Sequence, residues 1–256
     1  MSTQTTTITP LVASLTSGEI EIVDLTYPLG ENTLSVELPE PFAQSPLLEL
    51  HEISRYDARG PDWAWNWLVI GEHVGTHMDA PIHWITGRDG VDLASIAPRR
   101  LVGPAVVLDR TAEVRENPSY LITMDDIRAF EAEHGSLPDG GWLLLRTGFD
   151  LSTPAARYND TPRPGFAPDA ARWLAQESGI VGLGVDTTSV DAAGAGTFEP
   201  PAPAHRAILG AGKHIVEQLA NVDRLPSTGA LLVVAPMPLI GGTGSPARVI
   251  ALAPRS

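Results

Sequence analysis

The chain has 256 residues, 43% of them hydrophobic, which suits one large core. A formal charge of −14, with no Lys/Arg-rich block to offset it, excludes nucleic acid and acidic membrane surfaces as partners. There is no cysteine, so disulfides, thiolate metal sites and a cysteine nucleophile are excluded as well.

Residues 1–19 are Thr-rich and read as an N-terminal extension free to be flexible, ahead of a single domain over 20–256. They carry neither the basic start nor the apolar run of a secretory signal, and no stretch of about 18 apolar residues marks a membrane span. The expectation is a cytoplasmic protein. "WAWNW" (63–67) places Trp63, Trp65 and Trp67 at alternate positions, so a strand there has one aromatic face. "VGPAVVLD" (102–109) predicts a buried strand and "ITMDDIRAFEAEHG" (122–135) a helix, with Thr123 as N-cap and Gly135 as its stop. A second strand follows at 141–148, and 152–165 is turn-rich, predicting an exposed loop. A second helix over 167–179 starts near Pro168, and strands follow at 180–186, 230–237 and 247–254. Strands alternating with helices point to an α/β fold with some parallel pairing.

The stretch "EHVGTHMDAPIHW" (72–84) gathers His73, His77, Asp79 and His83 into eleven positions of a chain with seven histidines. All four are odd-numbered, and Gly75 and Pro81 oppose a helix. An extended segment would therefore turn all four to one face. Gly75 on that face would leave a hollow between His73 and His77. Imidazole and carboxylate are ligands for a divalent ion such as Zn²⁺ or Mn²⁺, and a cation is the partner that a buried imidazole cluster needs.

Further ligands must come from elsewhere. His205, His214 and Glu217 lie together in "PAHRAILGAGKHIVEQLA", and pattern alone leaves the choice between the two histidines open. Asp79 and Glu217 supply two negative charges, enough to neutralise one divalent ion. Asp186 ends the strand "GLGVD", where open α/β sheets carry functional groups.

The pattern H-x-G-T-H-x-D-x-P-x-H, His73 to His83, resembles the signature of the metal-dependent cyclase hydrolases. The likeness runs from about residue 20 to the C-terminus. Stretches such as "ISRYDARGPDWAWNW" (53–67) and "GVDTTSVDAAGAGTFEPPAPAH" (184–205) are similar to the isatin-hydrolase branch of the family. A histidine and a glutamate twelve positions apart, here His205 and Glu217, are similar to the kynurenine-formamidase branch.

The resemblance implies a swivelling β/β/α domain, a mixed central sheet with flanking helices. It implies that His73, His77, Asp79, His205 and Glu217 hold one or two Mn²⁺ or Zn²⁺ ions, with Asp79 bridging two. His83 would be the proton donor or acceptor. Trp63, Trp65, Trp84 and Asp186 are the candidates for substrate contact. The implied reaction opens a cyclic or aryl amide C–N bond with metal-activated water, on an isatin-type lactam or, alternatively, an N-formylkynurenine-type formanilide. A metal-holding binding protein without turnover is the reading of another class; it has no use for His83. Family likeness also implies a homo-oligomer, a dimer or larger, with pockets sometimes completed across subunits.

Overall fold

The computed structural model describes residues 8–31, 33, 38, 40–149, 151 and 162–255. Helix α1 (Ile8–Ser17) leads into β1 (Ile20–Asp24), a hairpin of β2 (Glu49–Asp57) and β3 (Gly60–Val69), and a three-residue strand, β4 (His77–Asp79). The middle of the chain comprises β5 (Val102–Asp109), α2 (Thr111–Glu116), β6 (Leu121–Ile122), α3 (Met124–His134), β7 (Trp142–Arg146), β8 (Gly165–Phe166), α4 (Pro168–Gln176) and β9 (Gly182–Val185). Then come α5 (Pro203–Gly210), β10 (His214–Glu217), β11 (Ala230–Pro236) and β12 (Gly244–Pro254).

Seven strands pair in the order β12–β11–β5–β7–β9–β10–β4, and β4 pairs back onto β12. The mixed sheet expected from the sequence is therefore closed into a barrel. β5, β7, β9 and β10 run parallel; β4, β11 and β12 run antiparallel to their neighbours. β1 pairs with the C-terminal end of β12, and β4 with its N-terminal end. Closure leaves few free edges to cover.

Parallel strands are buried on both faces, which is why they read as unbroken apolar runs. Ala105, Val107, Trp142, Leu144 and Val216 point into the barrel with Met78, Leu232 and Val249. Their alternates Val106, Leu108, Leu143, Leu145, Leu183 and Ile215 point outward. They pack there against Ile127 and Phe130 of α3, Ala171 and Leu174 of α4, and Ala204 and Ile208 of α5. This alternation fixes which polar side chains can meet outside the barrel.

Local signals work where chemistry is local. Thr123 caps α3 in a reciprocal box with Asp126, and Gly135 ends it with φ 88°. The segment expected as an extension supplies α1, and residues 1–7 lie outside the described residues. Most of the expected loop, 152–161, also lies outside them, while Pro164 and Gly165 at its end are buried, contrary to an exposed loop throughout. Among the described residues, no helix is long and apolar enough to cross a membrane.

Candidate metal centre

β4 and β10 pair antiparallel, with His77 opposite Glu217 and Asp79 opposite Ile215. Opposed residues share a face, and Met78 and Val216 between them point into the barrel. His77, Asp79 and Glu217 therefore emerge on the helix side, all buried. There α5 packs through Ala204, Ile208 and Leu209 and turns His205 toward them. His214 is three residues before Glu217 and so faces the other way. Its Nε2 accepts from Arg100 Nε at 3.0 Å, beside Trp142. The fold thus separates the two histidines that pattern could not.

The histidine segment departs from the expected single extended run. Only residues 77–79 form a strand; Gly75 is left-handed at φ +63°, and Pro81–His83 make a 3₁₀ turn. Nor does Gly75 leave a hollow between imidazoles: a Cβ there would lie 2.5 Å from Leu29 Cδ2. The bend and the turn nonetheless bring the four groups together. His73 Nδ1 lies 2.7 Å from Asp79 Oδ1, and His77 Nε2 lies 3.4 Å from the same oxygen. His73 and His83 stack with ring centroids 3.9 Å apart.

Facing distances around the carboxylates are longer than hydrogen bonds. His205 Nε2 is 3.6 Å from Asp79 Oδ2 and 3.5 Å from Glu217 Oε1, and His77 Nε2 is 3.7 Å from Glu217 Oε2. Two ligands of one ion, each bonded at about 2.1 Å, stand about 3.4 Å apart. The outward nitrogens are tied back. His77 Nδ1–H donates to the Gly75 carbonyl at 2.8 Å, and His205 Nδ1–H to Asp191 Oδ2 at 2.6 Å. His73 Nε2 lies 3.0 Å from Thr243 Oγ1, whose hydroxyl donates to Glu72. Each ring so presents one nitrogen to the centre. Asp79 Oδ2 is buried without a hydrogen-bond partner. Two sets, His73–Asp79–His83 and His77–Asp79–Glu217, have ligand atoms within 4.8 Å of one another, and Asp79 belongs to both. A buried, orphaned carboxylate oxygen among tied-back imidazoles fits a divalent cation.

Electrostatics agree. Burial pushes the His77 imidazole down, but Asp79, Glu217 and the Gly75 carbonyl outweigh it and lift it to about 9. His205 is likewise driven down by burial yet held well above the usual range by Asp191 and Asp79. Burial pushes Glu217 up, with His205 opposing and Asp79 adding. Asp79 resists burial because His83, His73 and His205 surround it, and it stays well below the ordinary carboxylate range. His83 is pushed to about 3 by burial, against Asp79 and reinforced by the other imidazoles. The carboxylates thus favour the cationic form of both rings, the sign of charge that a metal ion would bring.

Trp84 belongs to the site: it stacks on His205 at 4.7 Å and meets His83 edge-on at 5.5 Å. Trp63 and Trp65 stand on β3 with about half their surface exposed, 50% and 54%, away from any ring contact with the cluster among the described residues. Asp186 is buried and engaged: it accepts from Thr147 Oγ1 at 2.6 Å and from the amides of Thr147 and Gly148. That ties β7 to β9 at their ends. The sequence offered no local sign of Asp191, and "GGTGSP" (241–246), read as a turn with amides to offer a substrate, gave none that Thr243 and Gly244 meet His73. Gly244 touches His73 so closely that a Cβ would lie 2.3 Å from His73 Cε1. Glu72 lies directly before the motif, adjacent to His73.

A model of the Cyclase family matches residues 23–192, and the chain belongs to that family. It is 44% identical over 255 residues to the isatin hydrolase of Roseibium aggregatum, covering 96% of this chain and 97% of the relative. With the kynurenine formamidase of Paracidovorax citrulli it shares 29% over 188 residues, 73% and 79% of the two chains. A solved isatin hydrolase bound to the product analogue thioisatinate has a TM-score of 0.89 at 42% identity and covers 100% of both chains. With these relatives the chain is a hydrolase.

Proposed function

We propose that this hydrolase opens the C–N bond of an isatin-type lactam, releasing the ring-opened amino acid, with Mn²⁺ or Zn²⁺ held by His73, His77, Asp79, His205 and Glu217. The observation that carries it is the buried Asp79 carboxylate, orphaned at Oδ2 and faced by imidazoles whose far nitrogens are tied. The 44% identity to an isatin hydrolase supports the substrate class. Asp79 faces His73 and His77 through Oδ1 and His205 through Oδ2, which supports a site for two ions that share it.

When bound, such an ion lowers the pKa of a water ligand from about 15.7 to roughly 7 and polarises a carbonyl. His83, beside His73 on the turn after β4, takes the proton of the attacking water and returns it to the departing nitrogen. Trp84 flanks the pocket with an indole face. Trp63 and Trp65 stay half exposed on the β2–β3 hairpin, which leaves their indole faces available to the site of a second subunit in a homodimer. The enzyme works in the cytoplasm.

A second reading, deformylation of N-formylkynurenine, is favoured by one observation. Glu217 joins the cluster, the acid that likeness to the formamidase branch associates with that activity. Elemental analysis of purified protein, then assays on isatin and N-formylkynurenine side by side, tests both. Metal with isatin turnover supports the first reading, and faster deformylation the second. Metal without hydrolysis of any cyclic or aryl amide leaves a binding protein. His83→Ala is expected to keep its metal and lose about 10²–10⁴-fold in kcat.

A further inference from the structure

Resting on the reading of His205 as a metal ligand, we infer that Asp191 is a positioning residue that sets the tautomer of His205 and, through it, the metal affinity of the site. Asp191 lies in the loop between β9 and α5. Its Oδ2 accepts from His205 Nδ1–H at 2.6 Å and from the His205 backbone N–H at 3.2 Å. Its Oδ1 accepts from the Ala204 N–H at 2.8 Å. These two amides open α5, whose own N-cap, Ala202 at φ 50°, has no side chain able to cap. One buried carboxylate thus caps the helix that carries His205 and also holds its ring.

The backbone of Asp191 is itself gripped. Arg163 Nε donates to the Asp191 carbonyl at 3.1 Å, and the Asp191 N–H donates to Ser189 Oγ at 3.2 Å. The preceding amide, Val190 N–H, donates to Glu217 Oε1 at 2.7 Å. The dipeptide Val190–Asp191 therefore holds two members of the cluster at once, one by its amide and one by its side chain. With Nδ1–H committed to Asp191, Nε2 is the nitrogen left to face Asp79 and Glu217, at 3.6 and 3.5 Å. A carboxylate against the outward nitrogen also makes the inward one a stronger electron donor.

An amide cannot replace this carboxylate. In Asp191→Asn, one oxygen must serve the three N–H donors that two oxygens share in the native chain, so the NH₂ group opposes either the Ala204 N–H or the His205 donors. In both orientations the ring loses the anionic partner that strengthens Nε2 as a donor, and where the NH₂ group faces the ring the proton moves to Nε2, the nitrogen aimed at the ion. In Asp191→Ser, one oxygen still caps the helix and the ring loses its anchor.

The test measures zinc dissociation constants for the native chain, D191N and D191S by competition with a chromogenic chelator, together with thermal unfolding. D191N is expected to stay folded and bind zinc about 10–100-fold more weakly. D191S is expected to recover stability but not affinity. Equal zinc affinity in native and D191N, or recovery of both properties in D191S, overturns the role of Asp191 alone. A native chain that binds no zinc overturns the metal reading itself, and this inference with it. If D191N does not fold, ¹⁵N-histidine spectra of the zinc-loaded native chain decide: a proton on His205 Nδ1 supports the inference, and a bare Nδ1 overturns it.

Discussion

The indole of Trp84 lies on the imidazole of His205, ring centroids 4.7 Å apart and planes 28° apart, and its N–H is buried without a hydrogen-bond partner. A buried donor left unmet costs about 1–3 kcal/mol. An amide carbonyl or a product carboxylate would satisfy it. Trp84→Phe keeps the flat contact and removes the donor. It is expected to leave zinc affinity within about threefold and to lower kcat/KM for the lactam about tenfold, which corresponds to about 1.4 kcal/mol. Steady-state kinetics at matched metal content check this; parent-like kinetics would remove the indole N–H from substrate recognition.

Gly244 opens β12 opposite Asp79, directly against the ring of His73. A methyl group there would lie 2.3 Å from Cε1 and 2.7 Å from Nδ1, so the ring has to move. Gly244→Ala is expected to cost about 1–3 kcal/mol of stability through overpacking and to weaken zinc binding at least about tenfold. A zinc titration of the variant settles it, and unchanged affinity would mean that His73 is not a ligand where it stands.

His77 is raised to about 9, and His205 is held well above the ordinary imidazole range by Asp191 and Asp79, so without metal the neighbouring carboxylates favour the protonated ring at both. Ligand nitrogens must be bare. Metal binding at pH 7 is therefore expected to expel protons from these two rings, and affinity should rise with pH up to about 9. Calorimetry of zinc binding in buffers of different ionisation enthalpy measures the release. Heats that do not depend on the buffer contradict it.

Burial raises Asp186 to about 6, against its three hydrogen bonds from Thr147 and Gly148. Between the ordinary value of 3.8 and about 6, the folded chain holds a proton that the unfolded chain has lost. Stability from this group is thus full below the lower value and falls as pH rises through the upper, by up to about 3 kcal/mol. Asp186→Asn can turn its oxygen to the two amides and its NH₂ to Thr147 Oγ1. Its stability relative to the parent is expected to rise from pH 4 to pH 7. Denaturant midpoints of both proteins across that range test this; a flat difference would show that the carboxyl ionises normally.

What the sequence disclosed follows the range of the interactions. Strands at 102–109 and 141–148 were legible because burial on both faces writes a continuous apolar run. The His73–His83 cluster was legible because its members lie within eleven positions. Its shape was not: parity suggested one straight strand, whereas Gly75 and the Pro81–His83 turn bend the chain twice. Asp191 meets His205 from fourteen residues away through an irregular loop, a distance that periodicity does not register. Barrel closure was illegible because β4 has only three residues.

That shortest strand bonds to β10 on one side and to β12 on the other. It is the latch of the barrel, and it also carries His77 and Asp79. A slip of one residue would turn both inward and throw Met78 out. With the ligands proposed above, only a molecule shut in the right register would load its ion, and ligands drawn from β4, β10 and α5 would rivet the latch once loaded. On the proposed ligand set, a misclosed copy would have no place for the ion.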